Sequence, residues 1–192
     1  RAVHGFIFGM SMTAAAAAGV GLKICPRAVM PCWAVGQALP ALAANSLGAG
    51  APHEAESLGR AALKLNLLFT ALVVAAVQLA AEPLMTFFNP HEPAVVKEGV
   101  YYLRICCSLG VLGYAAMYTF NSLATGAGAA SAAMFNSLLD SLVMRLVLIG
   151  LFIWSGYGLT GVYLGQALSA LLPAILGGAY FYSRLWQRKK VI

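Results

Sequence analysis

The stretch from 35 to 55, VGQALPALAANSLGAGAPHEA, opens as an apolar helix and then meets Gly48-Ala49-Gly50-Ala51-Pro52. Such a run ends a helix, because glycine costs backbone entropy and proline lacks the donor N–H and clashes with the turn before it. Directly beyond come His53, Glu54, Glu56 and Arg60, the densest polar cluster before the C-terminal end. An apolar helix closed by a glycine turn and followed by charge is a helix leaving a bilayer, and the rest of the chain is a series of such spans. Hydrophobic residues make up 61% of the 192 and charged residues 9%. Soluble domains carry about 25% charged residues, so this chain cannot cover a water-facing surface. It reads as an all-α, polytopic membrane helix bundle.

A bilayer core takes about 20 apolar residues per helix, and the apolar runs place spans at about 60–81, 99–124, 132–154 and 158–182. Residues 1–12 are too short to cross and read as the end of a helix cut off upstream; no signal-peptide pattern opens the chain, which reads as a fragment. The run 14–46 is long for one helix and is interrupted by Lys23, Pro26 and Arg27, so hydropathy alone allows a break there. Glu82-Pro83 ends the 60–81 span, and Asn89-Pro90-His91-Glu92 predicts a short surface helix leading into the next. Thr125-Gly126-Ala127-Gly128 repeats the glycine turn of Gly48 and Gly50, and Ser155-Gly156-Tyr157-Gly158 joins the last two spans tightly. The octets 35–42 and 164–171 echo each other, which in an Ala/Leu-rich chain is read as coincidence.

Twelve Lys/Arg against six Asp/Glu give a net charge of +6. Placement points to topology and away from nucleic acid. Arg184, Arg188, Lys189 and Lys190 fall in a basic tail, 183–192, suited to anionic lipid headgroups. With Arg60 and Lys64 they outnumber Lys97 and Arg104 on the other side, which predicts a multi-pass protein of the cell membrane with a cytoplasmic C-terminus. Cys25, Cys32, Cys106 and Cys107 lie in apolar runs without a C-x-x-C pair, so neither a disulfide nor a metal is expected. There is no H-E-x-x-H, G-x-S-x-G or phosphate loop, and His4, His53 and His91 are scattered; no enzyme and no cofactor is read from the sequence.

Ionisable residues inside a span are functional hypotheses by default, each costing about 2.5 to 3.5 kcal/mol to insert. Four qualify: Lys23, Arg27, Asp140 and Arg145. Lys23 and Arg27 share a helical face, where they line a pathway or snorkel to the interface. Asp140 is the one carboxylate well inside an apolar run and is the ion-coupling candidate, against a topology or packing role. Arg145, five residues on, is nearly opposite on an α-helix and is expected to be a poor partner for it. Gln37, Asn45, Gln78, Asn121, Asn136 and Gln166 are possible lining or helix-pairing residues. Trp33, Tyr114, Tyr118 and Phe120 offer ring faces to lipophilic cations, or to packing and lipid.

Gln37-Ala-Leu with Leu47-Gly-Ala-Gly resembles the multidrug and toxic compound extrusion (MATE) transporters. In order around it stand Gly19-Val-Gly-Leu-Lys-Ile, Met30-Pro31, Phe87-Phe, Tyr102-Leu-Arg-Ile, Gly126-Ala-Gly and Gly158-Leu-Thr-Gly-Val. The resemblance covers nearly the whole chain and implies the six-helix C-terminal lobe of a two-lobe transporter with its first helix truncated. It implies that 14–46 is one long proline-kinked helix bordering a central cavity, with the glycine turns at its cytoplasmic end. It also implies alternating access against an N-terminal lobe, exporting drugs or organic cations in exchange for Na+ or H+. Some members carry acidic residues on the first and fourth helices of this lobe; here Phe6–Met12 and Leu109–Phe120 contain none. The alternatives are a lipid-linked saccharide flippase, for which Lys23 and Arg27 would hold a pyrophosphate, and a non-transporting membrane scaffold.

Overall fold

The computed structural model describes residues 12–184 and residue 186. The expected truncated helix at 1–12, apart from Met12, lies outside the described residues. So do His4, the acid-free stretch before Met12, and Arg188, Lys189 and Lys190 of the tail. The described chain is an all-α bundle: α1 (Met12–Ala28), α2 (Met30–Gly48), α3 (Pro52–Leu79), α4 (Ala81–Phe88), α5 (Pro93–Cys106), α6 (Leu109–Gly126), α7 (Ala130–Leu138), a π-helical turn (Leu139–Met144), α8 (Arg145–Trp154), α9 (Gly158–Leu168) and α10 (Leu171–Tyr182). Three of the described stretches are long and apolar enough to cross a bilayer unaided: Pro52–Leu79, Ala130–Trp154 and Gly158–Tyr182. The α5–α6 pair, bent by 45°, makes a fourth.

The bundle is inside out relative to a soluble protein. Leu65, Leu68, Phe69 and Leu72 of α3 are exposed, as are Phe135, Leu138, Leu142, Leu146 and Val147 along α7 and α8, whereas Asn66 and Thr70 of α3 are buried. Asn66 Nδ2 donates to Thr119 Oγ1 of α6 at 2.8 Å, and that hydroxyl donates to the Ala115 carbonyl. An apolar solvent outside reverses the incentive: leucine faces lipid, and polar groups pair inside.

Each glycine turn is a Schellman cap. The N–H of Ala51 bonds the Ser46 carbonyl at 2.9 Å and that of Gly50 the Leu47 carbonyl at 3.0 Å; Ala129 to Ala124 and Gly128 to Thr125 repeat the pair. Left-handed φ falls at Gly50 (+72°) and Gly128 (+74°). Only the second glycine of each turn supplies the reversal. Gly48 ends its helix in open space, while Gly126 faces the Pro40 carbonyl and Ala43, so it lets α2 and α6 approach.

Three boundaries differ from the sequence-based expectation. The 60–81 span starts at Pro52, which takes the first turn of α3 where its missing N–H is no loss. The 14–46 stretch is two helices meeting at Val29. The short surface helix is α4, which precedes the Asn89 turn, and that turn leads straight into α5. The tail also begins within the fold: Trp186 is buried, donates its Nε1–H to the Phe181 carbonyl at 2.9 Å and stacks on the Phe181 ring.

The buried side chains fall into two main clusters. One holds Ile24, Val77, Met85, Tyr102, Leu103, Ile149 and Tyr163; the other holds Leu39, Ala43, Ala55, Phe120, Leu123, Phe181 and Trp186. The paired spans α1–α2, α5–α6 and α9–α10 each give residues to one cluster before their break and to the other after it. Helix α3 serves both without a break.

Candidate functional site: a cavity at four helix discontinuities

The interruptions have local causes. Pro31, in the first turn of α2, offers no N–H to the Arg27 carbonyl four residues back, and Pro173 does the same to the Ser169 carbonyl at the α9–α10 junction. Between α5 and α6 no proline is present. Instead Ser108 turns to φ −117°, ψ −147°, and the carbonyls released there find a partner on another helix: Gln78 Nε2 donates to Arg104 at 3.2 Å and to Cys107 at 2.6 Å. The fourth interruption is the π-helical turn at Leu139–Met144.

Residues at or next to all four line one cavity of about 360 Å³. Its wall includes Val29 from the first break, Cys106 and Gly110 beside the second, Arg145 directly after the π-turn, and Ser169 and Ala170 at the last. Trp33, Tyr114 and Gln166 complete its polar and aromatic lining. Trp33 Nε1 donates to the Tyr114 hydroxyl at 3.3 Å, and Gln166 Nε2 to the Tyr102 hydroxyl at 3.4 Å. Broken helices place backbone groups outside the helical ladder at membrane depth, an arrangement tolerated where it borders a cavity.

A second hollow, about 330 Å³, adjoins along α2 and α6 and is lined by Gln37, Pro40, Tyr118, Asn121 and Ser137 among others. The parallel rings of Tyr114 and Tyr118, 6.1 Å apart, link the two. Asn121 is engaged with neighbouring helices: it donates to Ser137 Oγ at 3.1 Å and accepts from Asn136 Nδ2, which also donates to the Pro173 carbonyl.

The structure therefore gathers Gln37, Tyr114, Tyr118 and Asn121 of the residues singled out in the sequence. It does not gather Lys23, Arg27 or Asn45, which are exposed and line neither hollow. Arg27 Nη1 donates to the Lys23 carbonyl at 2.5 Å, a local helix contact. Phe120 packs in the core against Phe181.

One expectation is reversed. Asp140 and Arg145 are partners, Arg145 Nη2 lying 3.8 Å from Asp140 Oδ2. On an α-helix a separation of five turns the side chains apart, but i→i+5 bonding in a π-turn brings them to one face. Asp140 is 3% exposed. Its Oδ1 and the Arg145 Nε are buried without a hydrogen-bond partner. The pair is close enough to attract and too long to be a hydrogen bond. Among the described residues no group of three His, Cys, Asp or Glu is arranged to hold a metal ion.

At the glycine-turn end, Glu56 pairs with both Arg60 and Arg184, the latter at 3.2 Å. Two of the six basic residues counted for topology are thus tied to a carboxylate.

In comparison with known proteins, a family model described as MatE matches residues 2–151. No curated protein matches the chain.

Proposed function

Since the chain belongs to the MatE family and is a multi-pass membrane transporter of that superfamily, we propose that it is the C-terminal lobe of a secondary antiporter. In this reading it exports lipophilic organic cations or drugs in exchange for H+ or Na+. It works by alternating access against an N-terminal lobe, and its C-terminus faces the cytoplasm. The observation that supports the reading best is the meeting of four helix discontinuities at one cavity lined by Trp33, Tyr114 and Gln166. Substrate sites in secondary transporters form where spanning helices are interrupted, and ring faces attract cations. Tyr118, Gln37 and Asn121 extend that surface toward the glycine turns. The saccharide-flippase alternative drew its support from Lys23 and Arg27 facing a cavity, and neither lines this one.

The test is ethidium flux in proteoliposomes holding the natural full-length protein, driven by an imposed pH or Na+ gradient. Gradient-dependent ethidium movement supports the antiporter. Its absence with every gradient and with a panel of organic cations would leave a non-transporting scaffold as the better account.

A further inference from the structure

We propose that the hollow between the start of α3 and the end of α10 binds the phosphate of an anionic phospholipid, in the leaflet at the glycine-turn end. The hollow measures about 470 Å³ and shares no lining residue with the cavity or with the hollow along α2 and α6. Arg60, Lys64 and Arg184 bring three cations to its wall against the one carboxylate of Glu56, and Ser57 adds a hydroxyl. Ala61 is the one apolar side chain of the lining. Such a donor set fits an oxygen-rich anion and offers nothing to a lipophilic cation.

The two guanidiniums are held in place. Arg60 and Arg184 each donate from Nη2 to the same oxygen, Glu56 Oε1, the latter at 3.2 Å. Glu56 is 6% exposed, whereas the two arginine side chains are 55% and 56% exposed. A buried carboxylate thus sets two exposed forks side by side, close enough for one phosphate to accept from both. The backbone is strained to achieve this. Arg184 has φ +56°, the one positive φ outside glycine among the described residues. L side chains rarely adopt that region, and such strain persists only where the surroundings enforce it. Trp186, buried and stacked on Phe181, fixes the chain beyond, and the reversal turns Arg184 back toward α3.

The same face of α3 identifies the source of the phosphate. His53, Ser57, Arg60 and Lys64 follow at helical spacing along one exposed face, over about 16 Å of the axis. Leu68 and Leu72 continue it, each 59% exposed. A headgroup suits the first part and an acyl chain the second, which is the order of polarity of a phospholipid entering from the turn. A soluble phosphate would use only the charged half.

The experiment counts the lipids retained by the purified full-length protein in native mass spectrometry, from micelles carrying phosphatidylglycerol or phosphatidylcholine. One phosphatidylglycerol should be retained, and phosphatidylcholine should not. Lys64→Gln should weaken retention about fivefold, and Arg60→Gln combined with Arg184→Gln about 25-fold. Lys64→Gln spares the pairing of Glu56 with both arginines, so its melting temperature in lipid-free micelles should match the wild type; this separates lost binding from lost folding. The charge-matched pair Lys189→Gln and Lys190→Gln should leave retention unchanged. Equal loss in that pair would mean diffuse attraction to the basic end and overturns the site, as does equal retention of the two lipids or full retention in Lys64→Gln and the arginine pair. Inorganic phosphate should not displace the lipid; displacement would assign the hollow to a soluble phosphate compound and overturns the lipid assignment. None of these outcomes depends on transport, so the antiporter reading stands or falls apart from them.

Discussion

Gly110 and Gly113 stand one helical turn apart on α6, and the same added methyl should have unequal consequences at the two. A Cβ at Gly110 would fall on the carbonyl group of Ala167, part of the α9 backbone just before its break. A Cβ at Gly113 would meet the end of the Leu171 side chain, 2.7 Å from Cδ2. Overpacking costs about 1–3 kcal/mol, and the upper part of that range applies at Gly110, where only backbone can yield. Replacing a helical glycine by alanine returns up to about 1 kcal/mol, and less in the first turn, where Gly110 sits. The net is a loss of about 2 kcal/mol for Gly110→Ala, and for Gly113→Ala a change within about 0.5 kcal/mol once the leucine rotates. At about 2–4 °C per kcal/mol for a chain of this size, Gly110→Ala should melt about 4–8 °C lower in detergent, with Gly113→Ala near the wild type. Pushing α6 from α9 also deforms the cavity wall, so ethidium affinity should fall in the first variant alone. Equal melting of the two variants, in either direction, would refute the close approach of α6 to the α9 backbone.

Gln78→Leu removes the amide that serves the carbonyls of Arg104 and Cys107; it should destabilise the protein by about 1–3 kcal/mol, read by denaturant or thermal unfolding in micelles. Gly50→Ala places a side chain in left-handed backbone and should cost about 1–2 kcal/mol. Gly48→Ala, helical and open, should be neutral or gain up to about 1 kcal/mol; equal losses in the two would contradict the cap geometry. The Cys25 and Cys107 sulfurs lie 2.8 Å apart. Copper–phenanthroline should therefore join them within one chain, removing both thiols from alkylation, and Cys25→Ser should abolish the cross-link.

How far the sequence reveals this arrangement depends on where each cause lies. Apolar runs and Gly-Ala-Gly punctuation are local, so the all-α bundle and the Schellman caps can be read directly. Pro31 and Pro173 are equally local: each frees a carbonyl at a break, and Pro173 is the signal that would have divided 158–182 into two helices. The gap between α5 and α6 has no such mark, because it is held by Gln78 on a different helix. The π-turn lacks both glycine and proline across 139–144, so α-helical angles placed Asp140 and Arg145 apart. Exposure was equally hidden: Lys23, Arg27 and Asn45 have the composition of lining residues, and only the packing of α1 and α2 turns them away from both hollows.

The break at Val29 also bears on how the segments on either side of it are held in a bilayer. Helix α1 is 17 residues long, and α2, at 19, carries Gln37, Pro40 and Asn45; neither is among the described stretches apolar enough to cross alone. Helix α3, with mean hydropathy 1.9, is. Seating of α1 and α2 in the bilayer therefore leans on the helices they pack against, α5 for α1 and both α3 and α6 for α2, so a change that loosens those contacts should release the weak segments before any other part of the bundle.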